Sequence, residues 1–255
     1  MKNNAAPVAV FDSGVGGIGV LREIKKLLPH ENLLYFGDSK MAPYGERTTN
    51  DVRRLVMGHA ARLLTRAKAL VLACNTATAA AARELRLAYP HVPIIGMEPA
   101  VKPALAVAPH PKILILATAA TLREEKLAAL LLKHGGDADF YKCAAPGLVR
   151  LVEAGLADAP QTERYLAALL CSFSGENRPD AVVLGCTHFP FAKAAISRFF
   201  DDRIPLFDGA AGTARELARR LSAAECCNPS KAAGTVTLTA SNRASLPLFE
   251  KLLYT

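Results

Sequence analysis

Short apolar runs alternate with stretches of helical period along this chain, a pattern that predicts strands and helices of an α/β fold with parallel sheets. The first run, Val8 to Phe11, leads through a glycine-rich turn into a helix over Ile18 to Leu28, with Leu21, Ile24, Leu27 and Leu28 on one face. A strand over Leu33 to Phe36 follows, then a loop from Asp38 to Arg47 that contains Pro43-Tyr44-Gly45. From Thr49 or Asn50 a capped helix runs to Arg66, and its stripe of Val52, Leu55, Val56, His59 and Leu63 makes His59 a core or boundary residue without assigned chemistry. The strand Ala69 to Ala73, an alanine-rich helix Thr76 to Tyr89 and the strand Val92 to Met97 complete a first series.

Prolines at 99, 103, 109 and 111 then interrupt the pattern and mark a connection between domains. The second series has strands over Ile113 to Ala117, near Ala138 to Lys142, Ala181 to Leu184 and Ile204 to Phe207. Its helices are expected over Leu122 to His134, Gly147 to Ala154 and Thr162 to Phe173. The helix Gly212 to Ala224 and the strand-like Gly234 to Thr239 should return to the first series, which divides the chain into residues 1–98 with 209–255 and residues 99–208. Asp12-Ser13 in the first series corresponds to Thr118, with Thr121 nearby, in the second, and Cys74 corresponds to Cys186. Both offsets are about 110 residues, as a duplicated α/β half would give.

The candidate chemistry sits at two of these strand ends. Leu72-Ala73-Cys74-Asn75-Thr76 and its partial echo Leu184-Gly185-Cys186-Thr187-His188 each put a cysteine after an apolar run and before residues able to cap a helix. Such a corner lies at the carboxyl edge of a sheet, where open α/β folds bind ligands, and a helix start favours the thiolate. A single activated cysteine with a histidine would suggest a hydrolase or acyl transfer. Two thiols at matching corners better fit removal of a proton from one face of a carbon and return of another to the opposite face, with Asp12 and His188 tuning or relaying protons. A metal held by Cys74, Cys186 and His188 lacks four-ligand spacing, and Cys143, Cys171, Cys226 and Cys227 read as small buried hydrophobes.

A competing class is a nucleotide-binding protein. Gly14, Gly16 and Gly19 match the G-x-G-x-x-G fingerprint, with Asp38 about 20 residues on. Against it, Asp12 would set a fixed carboxylate beside the pyrophosphate.

Composition narrows the picture a little further. Half the residues are apolar and few are aromatic, which suits a helix-rich globular protein. The net charge of +8 is scattered over helix faces such as Lys25-Lys26, Arg53-Arg54 and Arg219-Arg220; it can draw small anions, and no nucleic-acid motif accompanies it. With no C-x-x-C pair, no signal-peptide pattern and no apolar run of membrane length, the expectation is a cytoplasmic protein with reduced cysteines.

Val10-Phe11-Asp12-Ser13-Gly14-Val15-Gly16-Gly17, Gly37-Asp38 through Pro43-Tyr44-Gly45, Ala73-Cys74-Asn75-Thr76-Ala77, Leu151-Val152-Glu153-Ala154-Gly155 and Gly185-Cys186-Thr187-His188-Phe189-Pro190 occur in this order. Together they resemble the glutamate racemases over nearly the whole chain. The resemblance implies two Rossmann-like, flavodoxin-like α/β domains related by pseudo-twofold symmetry, with the active site in the cleft between them. It implies an enzyme without cofactor or metal that interconverts L-glutamate and D-glutamate for peptidoglycan synthesis, working as a homodimer with neither membrane nor nucleic-acid partner. Cys74 and Cys186 would be the acid/base thiols, serving D- and L-glutamate respectively. Asp12 and His188 would assist them, and Glu153 would position or polarise His188. Ser13, Tyr44, Gly45, Asn75, Thr76, Thr118 and Thr187 would join Asp12 and His188 in binding substrate. Lys40-Met41-Ala42 before Pro43 and Met97-Glu98 depart from the pattern expected of that family, which touches loop details and regulation. A racemase of aspartate or another amino acid on the same architecture is the nearest alternative.

Overall fold

A computed structural model of the protein describes residues 4–254. The chain divides into two compact units, Met1–Glu98 with Ala210–Thr255, and Pro99–Gly209.

The first unit begins β1 (Val8–Asp12), α1 (Ile18–Leu27), β2 (Leu33–Gly37), α2 (Thr49–Leu63), β3 (Ala69–Leu72), α3 (Asn75–Ala88) and β4 (Ile94–Gly96). The second contains α4 (Val101–Ala104), β5 (Lys112–Ala117), α5 (Ala119–Leu122), α6 (Glu125–Lys133), β6 (Asp139–Ala144), α7 (Pro146–Glu153), α8 (Pro160–Leu170), β7 (Ala181–Gly185), α9 (Lys193–Phe199) and β8 (Leu206–Asp208). The chain then returns to the first unit with α10 (Ala210–Ala223), β9 (Val236–Ala240) and α11 (Leu246–Tyr254).

Each unit is built on one parallel sheet, ordered β4-β3-β1-β2-β9 in the first and β6-β5-β7-β8 in the second. Strands β1, β3 and β7 are buried along their whole length, which is why they read as unbroken apolar runs: helices cover both faces of such sheets. Register aligns the chemistry. Phe11 pairs with Leu72, so Asp12 and Ala73 leave neighbouring strand ends together, and Ala117 pairs with Gly185, so Thr118 and Cys186 do the same.

The return of the C-terminal segment to the first sheet has a local cause. Lys68 and Glu31 form a buried ion pair at 2.6 Å, and the second Glu31 oxygen accepts from the Asn228 N–H at 2.7 Å. Gly234 packs so closely on Glu31 that a Cβ there would fall 2.0 Å from the Glu31 carbonyl oxygen. Its N–H bonds to the Pro29 carbonyl at 2.9 Å, and Leu33 N–H to the Thr235 carbonyl at 2.8 Å, which seats β9 in register beside β2.

The structure departs from the sequence expectation in several places. The helix expected over Leu122 to His134 is two pieces, α5 and α6, because Glu124 takes an extended conformation between them. The proline-marked connection holds the one-turn α4, whose Pro103 lies early enough in the turn to need no intrahelical N–H. The helix expected to reach Phe173 leaves α geometry at Leu170 and tightens to a 3-10 turn. Helix α11 was not expected at all. Its buried Phe249 meets Tyr35 edge to face, with ring centroids 5.4 Å apart. Among the described residues, no helix is long and apolar enough to cross a membrane.

Candidate active site

The Cys74 corner is built by β1, β3 and the start of α3. Cys74 itself, and not the polar residues after it, caps α3: its Sγ accepts from the Ala77 N–H at 3.4 Å, and the helix begins at Asn75. The thiol is therefore held at a helix N-terminus, where partial positive charge favours a sulfur anion. Ser13 Oγ lies 3.6 Å from the sulfur. Asp12 is fully buried, and its Oδ1 accepts from the Gly14 N–H at 2.8 Å.

The glycine-rich turn is packing around that aspartate. A Cβ on Gly17 would stand 2.7 Å from Asp12 Cβ and 3.0 Å from Ala73 Cβ, and the Gly14 carbonyl accepts from the Tyr35 hydroxyl at 2.7 Å. The Gly14 N–H that a pyrophosphate would use is directed at Asp12. Asp38, placed by the fingerprint for a ribose, receives the Tyr44 hydroxyl at 2.7 Å and His59 Nε2 at 3.1 Å.

Asn75 and Thr76 are buried at the first turn of α3. Neither Oδ1 nor Nδ2 of Asn75 has a hydrogen-bond partner, and a buried amide in that state carries a desolvation cost that a polar ligand would relieve. Tyr44 and Gly45 open a 3-10 turn, both buried. Burial, then the hydrogen bond and charge of Asp38, then the charges of Cys74 and Asp12, push the Tyr44 phenol far up, so it is a neutral donor.

The Cys186 corner is organised differently. Gly185 precedes it because a Cβ there would stand 2.9 Å from Ala117 Cβ on the neighbouring strand. Cys186 was expected to open a helix as Cys74 does. Instead Phe189–Ala192, with Pro190 near its start, form a 3-10 turn, and α9 begins only at Lys193. What the sulfur has in place of a helix start is His188, whose Nδ1 lies 3.7 Å away. On the other side of the ring, Nε2 lies 2.6 Å from Glu153 Oε1 at the end of α7. Burial acts against the charge of His188, but hydrogen bonds to Cys186 and Glu153, reinforced by their charges, raise its pKa well above the usual value. Thr187 is buried beside it. Thr118 caps α5, with Oγ1 accepting from the Thr121 N–H at 3.2 Å and 3.0 Å from Thr121 Oγ1.

Thus Asp12, Ser13, Tyr44, Gly45, Cys74, Asn75 and Thr76 belong to the first unit, and Thr118, Glu153, Cys186, Thr187 and His188 to the second. Asp38 and His59 join the first cluster without having been singled out for it; the only sequence signal was an acid and a histidine on elements flanking the Tyr44 loop. Among the described residues, no group of three or more His, Cys, Asp or Glu side chains is arranged to hold a metal ion.

A family model described as Asp/Glu/hydantoin racemase matches residues 19–217. The chain belongs to the Asp/Glu/hydantoin racemase family. Members are enzymes, and relatives of this chain narrow the class. A glutamate racemase of Clostridium perfringens is 40% identical over 256 residues, covering 99% of this chain and 97% of the relative. One of Ectopseudomonas mendocina is 48% identical over 222 residues, covering 87% and 84%. Among solved members of this racemase family, the glutamate racemase of Francisella tularensis in complex with D-glutamate matches with a TM-score of 0.84 at 25% identity, over 99% of this chain and 95% of that one.

Proposed function

We propose that this racemase interconverts L- and D-glutamate by a two-base transfer at Cα, without a cofactor, and that the product serves peptidoglycan synthesis. The observation that carries the reading is one buried thiol at the carboxyl end of an interior strand in each unit, Cys74 at the start of a helix and Cys186 beside His188. One thiol, entering as thiolate, removes the Cα proton, and the other, entering as thiol, delivers a proton to the opposite face. Cys74 acts on D-glutamate and Cys186 on L-glutamate.

A carbon-bound proton beside a carboxylate is weakly acidic, so the site must stabilise carbanion-like charge away from water. Asn75, Thr76, Ser13, Thr187 and the N–H groups at helix starts can receive the two carboxylates of glutamate, with Tyr44, Gly45 and Thr118 also binding substrate. The unpartnered amide of Asn75 supports that assignment. Asp12 assists Cys74. His188, held by Glu153, assists Cys186. The family relation is also the ground for proposing a cytoplasmic homodimer, which light scattering of the purified protein tests.

The decisive experiment is incubation of purified protein with L-glutamate, without added nucleotide or metal, followed by chiral chromatography. Equal amounts of the two enantiomers are expected. L-glutamate that stays enantiomerically pure overturns the reading, and racemisation of L-aspartate at a higher kcat/KM reassigns the substrate.

A further inference from the structure

Behind Tyr44, next to Cys74, lies a polar pair, Asp38 and His59, that the two-thiol reaction does not use. Asp38 follows β2 directly, with its N–H bonded to the Asp12 carbonyl at 2.9 Å and its side chain 1% exposed. A single oxygen, Oδ2, meets both the Tyr44 hydroxyl at 2.7 Å and His59 Nε2 at 3.1 Å. Burial acts to raise the Asp38 pKa, but hydrogen bonds from His59, Tyr44 and Ser241 outweigh it and hold the group below the usual carboxylate range. A carboxylate only accepts hydrogen bonds, so His59 carries a proton on Nε2 and donates it.

His59 reaches this carboxylate from a different element, α2, and its ring is fixed by two others. Its centroid lies 4.7 Å from that of Phe36 and 5.8 Å from that of Phe11. Tyr44, the other partner of Asp38 Oδ2, is buried in the same apolar cluster as Cys74, and its phenol feels the charges of Cys74 and Asp12. The order is therefore His59 on a helix, Asp38 at a strand end, Tyr44 in the loop, and then the thiol.

We propose that His59 is a positioning residue for the Cys74 half of the reaction: its Nε2–H fixes the Asp38 carboxylate, which anchors the Tyr44 phenol and so the Tyr44–Gly45 turn beside Cys74. The proposal rests on the two-thiol reading above. A buried carboxylate stripped of one donor reorients toward any other available donor, and the phenol it anchors moves with it. Reaction geometry tolerates little of this, since a misplacement of about 1 Å can cost about 10²-fold in rate. The Cys186 half has its own carboxylate–histidine pair in Glu153 and His188 and does not depend on His59.

The test compares H59F, which keeps the ring stack and loses the donor, with H59Q, whose amide can reach the Nε2 position. Because the two enantiomers are equal in energy, kcat/KM must fall equally in both directions, by about tenfold or more in H59F, and primary isotope effects carry the discrimination. Slower transfer at Cys74 makes that step more rate-limiting from D-glutamate and Cys186 less so from L-glutamate. The effect with 2-deuterated D-glutamate should rise in H59F, that with 2-deuterated L-glutamate should fall, and H59Q should return both toward the parent. If H59F does not fold, H59N against H59Q gives the same comparison, since asparagine is too short to place a donor at Nε2. Isotope effects that stay put or move together, or an H59Q no better than the donor-less variant, overturn the positioning role while leaving the two thiols in place. A parent protein that fails to racemise glutamate removes the two-thiol reading, and this proposal with it.

Discussion

Glu153 Oε1 lies 2.6 Å from His188 Nε2, on the opposite side of the ring from Nδ1, which faces the Cys186 sulfur at 3.7 Å. The carboxylate fixes the ring and favours its protonated form, which stands beside the Cys186 sulfur. Cys74 has a helix start and Ser13 beside its sulfur instead. Two thiols proposed for one reaction are thus supported by different physics, and they should respond differently to pH and to mutation.

Replacing Glu153 by glutamine keeps a hydrogen-bond acceptor near Nε2 but removes the charge, so the raised pKa of His188 should fall. In assays of kcat against pH, the alkaline limb due to His188 should move to lower pH, and kcat should drop by about 10-fold to 10²-fold with little change in KM. His188 is raised above its unfolded value of 6.5, so its added stability is fully present below that pH and is lost as pH rises through the folded value. Denaturant unfolding should therefore separate parent and E153Q most below about pH 6.5, while Glu153 is still ionised, and the gap should narrow at higher pH. An unmoved alkaline limb would count against the pairing.

Gly17 predicts a coupling between packing and chemistry. Alanine at this position must displace Asp12 or Ala73, and overpacking of this kind costs about 1–3 kcal/mol. G17A should unfold at lower urea concentration and also lose kcat, because Asp12 moves with the turn. Since the Gly14 N–H and the Asp38 carboxylate are already engaged within the protein, titration of the parent with NAD or NADP should give no saturable signal. Micromolar binding would restore the dinucleotide reading.

The Lys68–Glu31 pair, with side chains 5% and 4% exposed, predicts a large asymmetry between single and double replacement. K68M leaves a buried carboxylate facing no cation and should cost about 3–5 kcal/mol in urea unfolding, whereas K68M combined with E31L should cost less. A larger loss in the double variant than in K68M would mean that the Asn228 contact, which only E31L removes, and not the ion pair, holds the β9 segment.

How far the sequence could be read depended on whether a feature is periodic or long-range. Val8 to Phe11, Ala69 to Leu72 and Ala181 to Leu184 were legible because strands buried on both faces are continuous apolar runs. The capping role of Cys74 was not, because sulfur is outside the usual set of capping side chains and Asn75 and Thr76, which are within it, stand next in the chain. The 3-10 turn after Cys186 escaped because the residues around Pro190 fit an α start as well as a tighter one. Helix α11 owes its place to contacts of Phe249 with Tyr35, more than 200 positions away, which no local pattern encodes. His59 was rightly placed on the apolar stripe of α2, but its bond to Asp38 joins two elements and has no periodic signature.

The two-thiol proposal makes its sharpest prediction through single replacements. C74A and C186A should each abolish racemisation, since inversion needs an acceptor on one face of Cα and a donor on the other. They should not be equivalent. In deuterated solvent the remaining sulfur can still remove and return a proton on its own face, so C74A should retain exchange at Cα of L-glutamate and C186A that of D-glutamate. The Cys186 face has His188, with its raised pKa, and Glu153 behind the sulfur, so exchange of L-glutamate by C74A should weaken further when E153Q is added. Exchange of D-glutamate by C186A should be insensitive to E153Q, because the Cys74 corner draws on the start of α3 and on Ser13 instead. Nuclear magnetic resonance of the Cα proton, followed in time for each enantiomer with each variant, measures these rates. A single variant that still interconverts both enantiomers near the parent rate would remove these two cysteines from the mechanism. Exchange of the wrong enantiomer would keep both thiols and reverse the faces assigned to them.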